Sequence, residues 1–311
     1  MVVALYAGAV ATADVWMPAL AKAFAEAGLA VDLVRPGDVA PEAVEYIVYA
    51  PSGPVTDFSP YTRAKAVLGL WAGVERVVGN PTLTQPLCRM VDEGLERGMV
   101  EWVVGQVLRA HLGLDRFIGR HTPHWEQVAP PLAPERSVVV LGLGALGAAA
   151  VRMLVTLGFR VTGWSGTPKT IEGATCLSGA EGLTAALARA EILVTILPNT
   201  PETTGLLNAR TLALLPRGAV ILNPGRGNLI DDEALLAALD AGQVGQATLD
   251  VFRTEPLPAD HPYWRHPRVT VSPHVAAETR PASAAKVIAE NIRRGETGEP
   301  FLHRVDRARG Y

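Results

Sequence analysis

Three polar residues in the second half of the chain are of types that could carry acid–base chemistry. Arg226 lies in NPGRGNLID, Glu255 in LDVFRTEPLP and His274 in TVSPHVA, each just after an apolar run typical of a strand. A histidine can donate a proton near neutral pH, and a carboxylate beside its other ring nitrogen favours the protonated ring. An arginine can hold a substrate carboxylate. Taken singly, each residue is more typical of an ordinary loop, so the hypothesis depends on the strands bringing them together.

A strand, turn and helix that could place a ligand beside these residues is predicted from residue 138, where the sequence reads VVVLGLGALG. The apolar run breaks into G-x-G-x-x-G and leads through one helix to a second strand at 159–164, which is the pattern of a dinucleotide-binding βαβ unit. Gly142 would allow the turn, and Gly144 would let a pyrophosphate approach the backbone at the helix N-terminus. Gly147 would let helix and strand pack closely. The motif alone also occurs in purely structural turns, but the flanking strands favour the cofactor site.

Strand and helix patterns alternate along the whole chain. The first part predicts strands at 2–6, 31–34, 46–49 and 66–70, with a helix at 14–27 that Gly28 stops. The second part predicts strands at 192–198, 219–225, 245–252 and 268–274, with a helix at 231–242. Such alternation predicts an α/β fold with two doubly wound parallel-sheet domains.

Two predicted helices mark the division between the domains. The segment 93–114 is apolar on most faces and predicts a buried helix that leaves the first domain and enters the second, and the proline-rich loop 120–135 follows it. The helix at 280–295 has no strand after it, so we expect it to return to the first domain. The predicted domains are therefore residues 1–98 with 279–311, and residues 99–278.

Composition narrows the class of protein. The chain has 311 residues, 49% hydrophobic and 19% charged, with a net charge of −3 and no block of like charges, which disfavours nucleic-acid and membrane partners. Cys88 and Cys176 lack metal or disulfide spacing, so we interpret both as reduced thiols and expect no metal. The first basic residue is Lys22, so no signal-peptide basic region is present. We expect a cytoplasmic protein.

With their flanking residues, the three polar residues resemble the D-2-hydroxyacid dehydrogenase family. Its arginine sits in N-x-x-R-G, here 223–227, its glutamate precedes a proline after D-V-F, here 250–256, and its histidine sits in P-H, here 273–274. The likeness covers nearly the whole chain. Finer features are similar to the glyoxylate/hydroxypyruvate reductase A type: LWAGVE at 70–75, LPNTPET at 197–203, WRHPRV at 264–269, AAETRP at 276–281 and the ending VDRARGY.

The resemblance implies a discontinuous flavodoxin-like substrate-binding domain, a Rossmann coenzyme domain and a homodimer. It implies reduction of a small 2-oxo acid by hydride transfer from a nicotinamide, with His274 as general acid, Glu255 on its other ring nitrogen and Arg226 on the substrate carboxylate. The implied cofactor-binding residues are Gly142, Gly144, Ala145, Leu146, Gly147, Trp164, Ser165, Thr167, Lys169, Leu197, Pro198, Thr203, Pro224, Gly225, Asp250 and Ala276. The implied substrate-binding residues are Tyr49, Trp71, Ala72, Gly73, Arg226, Trp264 and Arg280. For Tyr49, Trp264 and Arg280, a core aromatic or a surface cation is an equal interpretation.

Cofactor choice is expected at the end of the second strand of the glycine motif. An enzyme selective for NAD places an acidic residue there to bond the ribose hydroxyls, whereas this chain reads WSGTPK over 164–169. The missing acid favours the 2′-phosphate of NADP, with Ser165 and Thr167 bonding it and Lys169 neutralising it. The family type usually places arginines in this loop, so NAD is also a possible cofactor.

Three functions remain open from the sequence. The first is reduction of glyoxylate and hydroxypyruvate with NADPH. The second is reduction of a bulkier 2-oxo acid by the same residues. The third is a non-catalytic, dinucleotide-sensing protein, because a fold does not fix a function.

Overall fold

The structure, a computed structural model, describes residues 1–118, 125, 127–308 and 310. Within them the chain forms twelve β-strands and seven α-helices. The strands are β1 (Val2–Ala7), β2 (Val31–Val34), β3 (Tyr46–Tyr49), β4 (Ala66–Gly69), β5 (Leu87–Cys88), β6 (Ser137–Leu141), β7 (Arg160–Ser165), β8 (Thr175–Ser178), β9 (Ile192–Thr195), β10 (Ala219–Asn223), β11 (Val244–Leu249) and β12 (Val269–Val271). The helices are α1 (Ala13–Glu26), α2 (Glu93–Leu112), α3 (Ala145–Thr156), α4 (Gly179–Leu187), α5 (Ala209–Leu212), α6 (Asp232–Asp240) and α7 (Pro281–Thr297).

The chain divides into two compact units. Unit 1 comprises Met1–Leu95 and Thr279–Tyr311, and unit 2 comprises Glu96–Glu278. The first division therefore falls within the first turn of α2, close to the predicted residue 98. Of the predicted boundary loop, residues 120–124 and 126 lie outside the described residues. In the described part of the chain, no helix is both long and apolar enough to cross a bilayer.

Each unit is built on one parallel sheet, which confirms the predicted fold class. Unit 1 has five strands in the order β2-β1-β3-β4-β5, and unit 2 has seven in the order β12-β11-β10-β9-β6-β7-β8. Because the strands of a sheet are parallel, their carboxyl ends meet at one edge, where open α/β sheets bind ligands. The loops that follow β6, β7, β9, β10, β11 and β12 all leave from that edge of unit 2.

The sheet of unit 2 is covered on both faces, which explains why its strands read as continuous apolar runs. Successive residues of β6 face opposite sides of the sheet. Val138 and Val140 belong to a core that includes Val103 and Val107 of α2. Val139 and Leu141 belong to a second core, which includes Leu187 of α4 and Leu235 of α6.

In unit 1 the last helix packs against the first. α7 lies against α1 and β4. The buried Tyr46, at the start of β3, donates from its hydroxyl to Glu296 of α7 over 2.7 Å, and Lys65 donates to the same carboxylate oxygen over 2.7 Å. These bonds hold the returning helix to the amino-terminal edge of the sheet.

The structure corrects several predicted element bounds. The predicted strands at 192–198, 219–225, 245–252 and 268–274 end three or fewer residues earlier, at Thr195, Asn223, Leu249 and Val271, because the residues that follow turn away to carry the site. The helix predicted at 93–114 ends at Leu112, because Gly113 adopts a left-handed φ of 63°. The short strands β5 and β8 are not predicted, since neither has an apolar run long enough to indicate a strand.

Candidate active site

The glycine-rich turn after β6 is shaped by two close backbone approaches. Gly142 has a φ of +106°, and a Cβ there would collide with the carbonyl oxygen of Ile196. A Cβ on Gly147 would collide with the carbonyl oxygen of Gly142. Neither position can therefore accept a side chain, which accounts for two of the three glycines of the motif on steric grounds.

Gly144 differs from its neighbours because the space beside it is open. It forms the N-cap of α3, and among the described residues no atom outside its immediate chain neighbours lies within 4 Å of the place where a Cβ would stand. The first N–H groups of α3, at Ala145, Leu146 and Gly147, have no acceptor within the helix and carry the positive end of its dipole. An open cradle at a helix N-terminus fits a dinucleotide pyrophosphate.

The end of β7 carries the loop predicted to choose the cofactor. Ser165 is the last residue of the strand, is 9% exposed, and donates from its hydroxyl to the carbonyl of Thr167 over 2.8 Å. The Trp164 side chain is buried, and its indole N–H donates to the carbonyl of Gly179 over 2.8 Å. Thr167 and Lys169 are exposed. The Ser165 hydroxyl thus holds the loop together, and the loop exposes the Thr167 hydroxyl and the Lys169 ammonium group.

The turn after β10 holds Arg226 through a buried asparagine. The Asn223 amide oxygen accepts from the hydroxyl of Thr195 over 2.7 Å and from the Gly225 N–H over 3.1 Å, and its NH₂ donates to the Arg226 carbonyl over 3.0 Å. Thr195 and Asn223 are fully buried, and the Arg226 side chain is only partly so. The Arg226 guanidinium also donates to the Gly225 carbonyl over 2.7 Å. The backbone of the arginine is therefore fixed while its side chain reaches solvent.

His274 and Glu255 are brought together as predicted from their positions at strand ends. The His274 Nδ1 lies 2.8 Å from Oε2 of Glu255, and Oε1 of the same carboxylate accepts from the Phe252 N–H over 2.9 Å. A carboxylate can only accept here, so Nδ1 carries the hydrogen and Nε2 is the ring nitrogen left for a ligand. The imidazole is half exposed, so a ligand can reach it.

The arginine turn and the glutamate loop meet directly. A Cβ on Gly227, the residue after Arg226, would collide with the backbone of Phe252 and Arg253. Phe252 is the residue whose N–H bonds Glu255. Arg226, Glu255 and His274 are thus connected at the carboxyl edge of one sheet by contacts between their loops.

Sequence reasoning did not single out Thr195, and it assigned no loop-supporting role to Asn223 or Asp250. Thr195 and Asn223 end β9 and β10, and the Asp250 carboxylate, buried after β11, accepts from the Ser272 hydroxyl over 2.6 Å. A signal was available, because each is a polar residue that closes an apolar run: ILVT, AVILN and ATLD. A buried polar group must find a partner, so such residues indicate a hydrogen-bonded turn.

The remaining predicted cofactor residues lie on the same loops of unit 2. Leu197 is buried in the core, and the Thr203 hydroxyl donates to the Pro198 carbonyl over 2.7 Å. Pro224 is buried in the arginine turn. The Ala276 N–H donates to Asp250 over 2.9 Å. Whether these residues contact a cofactor stays a prediction.

The predicted substrate residues are divided between the units. In unit 2, Trp264 is half exposed and its indole N–H donates to the Pro258 carbonyl over 2.9 Å. In unit 1, Tyr49 is buried edge-on against Phe58, and this burial raises the pKa of its hydroxyl. The other substrate residues predicted in unit 1 follow the end of β4 or precede α7: Trp71, Ala72, Gly73 and Arg280. Their role in binding stays a prediction.

The fold and the site are those of a dinucleotide-binding α/β protein, with a carboxylate-bound imidazole, an arginine turn and an open helix N-terminus at Gly144 on the loops of one sheet edge. A family model for the D-isomer specific 2-hydroxyacid dehydrogenase NAD-binding domain matches residues 106–276. The chain belongs to the D-isomer specific 2-hydroxyacid dehydrogenase family.

Several solved structures match the chain over almost its entire length. A D-isomer specific 2-hydroxyacid dehydrogenase from Xanthobacter autotrophicus, in complex with NADPH and MES, is 43% identical, with 99% of each chain covered and a TM-score of 0.91. An NADPH-dependent glyoxylate/hydroxypyruvate reductase from Sinorhizobium meliloti, in complex with NADP and sulfate, is 34% identical, with 100% of each chain covered and a TM-score of 0.87. A probable 2-hydroxyacid dehydrogenase from Rhizobium etli, in complex with NADP, HEPES and L(+)-tartaric acid, is 33% identical, with 100% of each chain covered and a TM-score of 0.89.

Proposed function

We propose that this protein is an NADPH-preferring reductase of small 2-oxo acids, which converts glyoxylate to glycolate and hydroxypyruvate to D-glycerate. The observation that carries the proposal is the bond of 2.8 Å between His274 and Glu255 on the loops beside the Arg226 turn. A general acid needs such a pairing, because one ring nitrogen is held by the carboxylate and the other is left to donate a proton.

The reaction assigns a separate task to each of the three side chains. Bound NADPH would supply the hydride to the carbonyl carbon. Arg226 binds the substrate carboxylate with its guanidinium and orients the carbonyl. His274 donates the proton from Nε2 to the carbonyl oxygen, and the Glu255 carboxylate holds the ring in place through Nδ1.

Two observations support NADPH over NADH. Between 164 and 171 the chain has no acidic residue that would bond the ribose hydroxyls and repel a 2′-phosphate. Thr167 and Lys169 offer an exposed hydroxyl and a cation in its place, and the Ser165 hydroxyl would join them by turning from the Thr167 carbonyl to the phosphate. The similar proteins from Xanthobacter autotrophicus and Sinorhizobium meliloti were solved with NADPH and NADP, respectively.

We also infer that unit 1 binds the substrate, that the protein works as a homodimer and that it is cytoplasmic. The inference of a dimer draws support from apolar side chains exposed at and beyond the end of α2, namely Leu112, Leu114, Phe117 and Ile118. Light scattering during gel filtration tests it: a mass near twice the 32.9 kDa of the chain supports the dimer, and the monomer mass removes it.

A substrate panel with both cofactors tests the proposed function. Oxidation of NADPH and of NADH is followed with glyoxylate, hydroxypyruvate and two bulkier 2-oxo acids, phenylpyruvate and 2-oxoisocaproate. The proposal expects the highest kcat/KM for glyoxylate or hydroxypyruvate with NADPH. A higher kcat/KM for a bulky acid would indicate an enzyme that reduces bulkier 2-oxo acids. Tight NADPH binding without NADPH oxidation in the presence of any of the four acids would indicate a non-catalytic, dinucleotide-sensing protein.

A further inference from the structure

The backbone of His274 is held in a conformation that residues other than glycine rarely adopt. His274 has a φ of 56°, in the left-handed region. Such a conformation persists only where the surroundings enforce it. The His274 N–H donates to two carbonyls at once, that of Asp250 over 2.8 Å and that of Ser272 over 3.1 Å. The strained residue is therefore bonded back to the end of β11.

The side chain of Asp250 holds the chain on both sides of that residue. Its Oδ1 accepts from the Ser272 hydroxyl over 2.6 Å and from the Val275 N–H over 3.1 Å, and its Oδ2 accepts from the Ala276 N–H over 2.9 Å. Asp250 is fully buried, so these bonds are not in competition with solvent. Both carboxylate oxygens are used by one loop, residues 272–276.

We propose that Asp250, together with Ser272, is a positioning residue for His274, an inference that rests on the proposed function. The Asp250 carboxylate fixes the loop before and after the histidine, and the main-chain carbonyl of Asp250 accepts from the His274 N–H. We call these bonds the Asp250 clamp. Without that clamp the His274 backbone would relax toward an ordinary negative φ, which would swing the imidazole away from Oε2 of Glu255. Asp250 then acts through His274, in addition to the cofactor contact that the family resemblance implies for it.

Two variants of different severity test the clamp. Asp250→Asn keeps the shape but sets an NH₂ group against one of the loop donors, and Ser272→Ala removes a single donor. The matched control is Thr211→Val, because the Thr211 hydroxyl also lies in unit 2 and also donates over 2.6 Å, to the Leu206 carbonyl. The measurements are kcat and KM for glyoxylate and the NADPH dissociation constant from nicotinamide fluorescence.

Both variants are expected to lose turnover, and Ser272→Ala is expected to keep its cofactor affinity. Since a positioned acid supplies up to four orders of magnitude, we expect kcat to fall about 100-fold in Asp250→Asn and about 3- to 10-fold in Ser272→Ala. The NADPH dissociation constant should stay within about twofold of wild type in Ser272→Ala. Thr211→Val should lower the melting temperature and leave kcat unchanged. If Asp250→Asn does not fold, the Ser272→Ala result alone decides.

Other outcomes would overturn the proposal. An NADPH dissociation constant raised tenfold with kcat retained in Asp250→Asn would make Asp250 a cofactor ligand. A kcat loss in Thr211→Val equal to that in Ser272→Ala would make the effect one of general stability.

A readout without turnover separates this proposal from the proposed function. The ¹⁵N shift of His274 Nδ1, assigned by its disappearance in His274→Gln, should report a protonated, carboxylate-bound nitrogen in wild type, and Ser272→Ala should change it. An unchanged shift in Ser272→Ala and Asp250→Asn would overturn the clamp. If wild type reduces no 2-oxo acid, the proposed function fails, and the NMR result still decides the positioning role.

Discussion

Ser165 is the residue at which cofactor preference can be changed by a single substitution. A carboxylate at the end of β7 would accept from ribose hydroxyls and repel a 2′-phosphate, so Ser165→Asp should favour NADH. In a partly solvated loop, we expect the ratio of kcat/KM for NADPH to that for NADH to fall by about one to two decades.

The control for Ser165→Asp is Ser165→Ala, because the Ser165 hydroxyl also ties the loop to the Thr167 carbonyl. Ser165→Ala loses that bond without adding charge, so it reports the contribution of loop order alone. Steady-state kinetics with both cofactors at saturating glyoxylate provide the measurement. Equal ratios in wild type and Ser165→Asp would mean that this loop does not contact the phosphate.

In the turn between β6 and α3, the fold requires a glycine at position 142, whereas only a bound dinucleotide would require one at position 144. Gly144→Ala puts a methyl group into open space, so stability should be close to that of wild type while NADPH binds at least about tenfold more weakly. Gly142→Ala is the matched comparison, because its φ of +106° and the Ile196 carbonyl oppose any side chain. It should lower the melting temperature. Thermal melts and NADPH titrations measure both effects, and weakened stability in Gly144→Ala would contradict the open cradle.

Helix α2 carries a buried histidine that makes the stability of unit 2 depend on pH. His111 is 7% exposed and packs edge-on against Phe159 at 5.0 Å. Burial lowers its pKa from 6.5, and the nearby Arg136 lowers it further. Below about pH 6.5 the unfolded chain therefore protonates His111 more readily than the folded chain does. The stability contributed by the neutral, buried His111 is fully present above about pH 6.5 and is lost as the pH falls below that value.

His111→Phe tests this dependence because a phenyl ring can keep the packing without titrating. Melting temperatures of wild type and variant are measured from pH 8 to pH 5. We expect the wild type to lose more stability than the variant as pH falls through the range below about 6.5. Parallel curves would show that His111 does not titrate differently in the folded and unfolded chains.

At the scale of the whole molecule, the sequence predicts the architecture well and the supports of the site poorly. Long apolar runs that alternate with helices indicate two parallel sheets, because a strand covered on both faces needs apolar residues at every position. The edge strand β8, with half-exposed residues, lacks that pattern. The clamp around His274 depends on contacts between Asp250 and residues more than twenty positions away, which periodicity does not report.

The central claim is that the loops of unit 2 carry the acid of a dinucleotide-dependent reduction. The direct test compares NADPH oxidation by glyoxylate in wild type and in His274→Ala, with the NADPH dissociation constant of each measured alongside. We expect the variant to lose about two to four orders of magnitude in kcat, while its NADPH dissociation constant stays within about twofold of wild type. A variant that retains more than about a tenth of wild-type kcat would contradict the assignment of His274 as the proton donor.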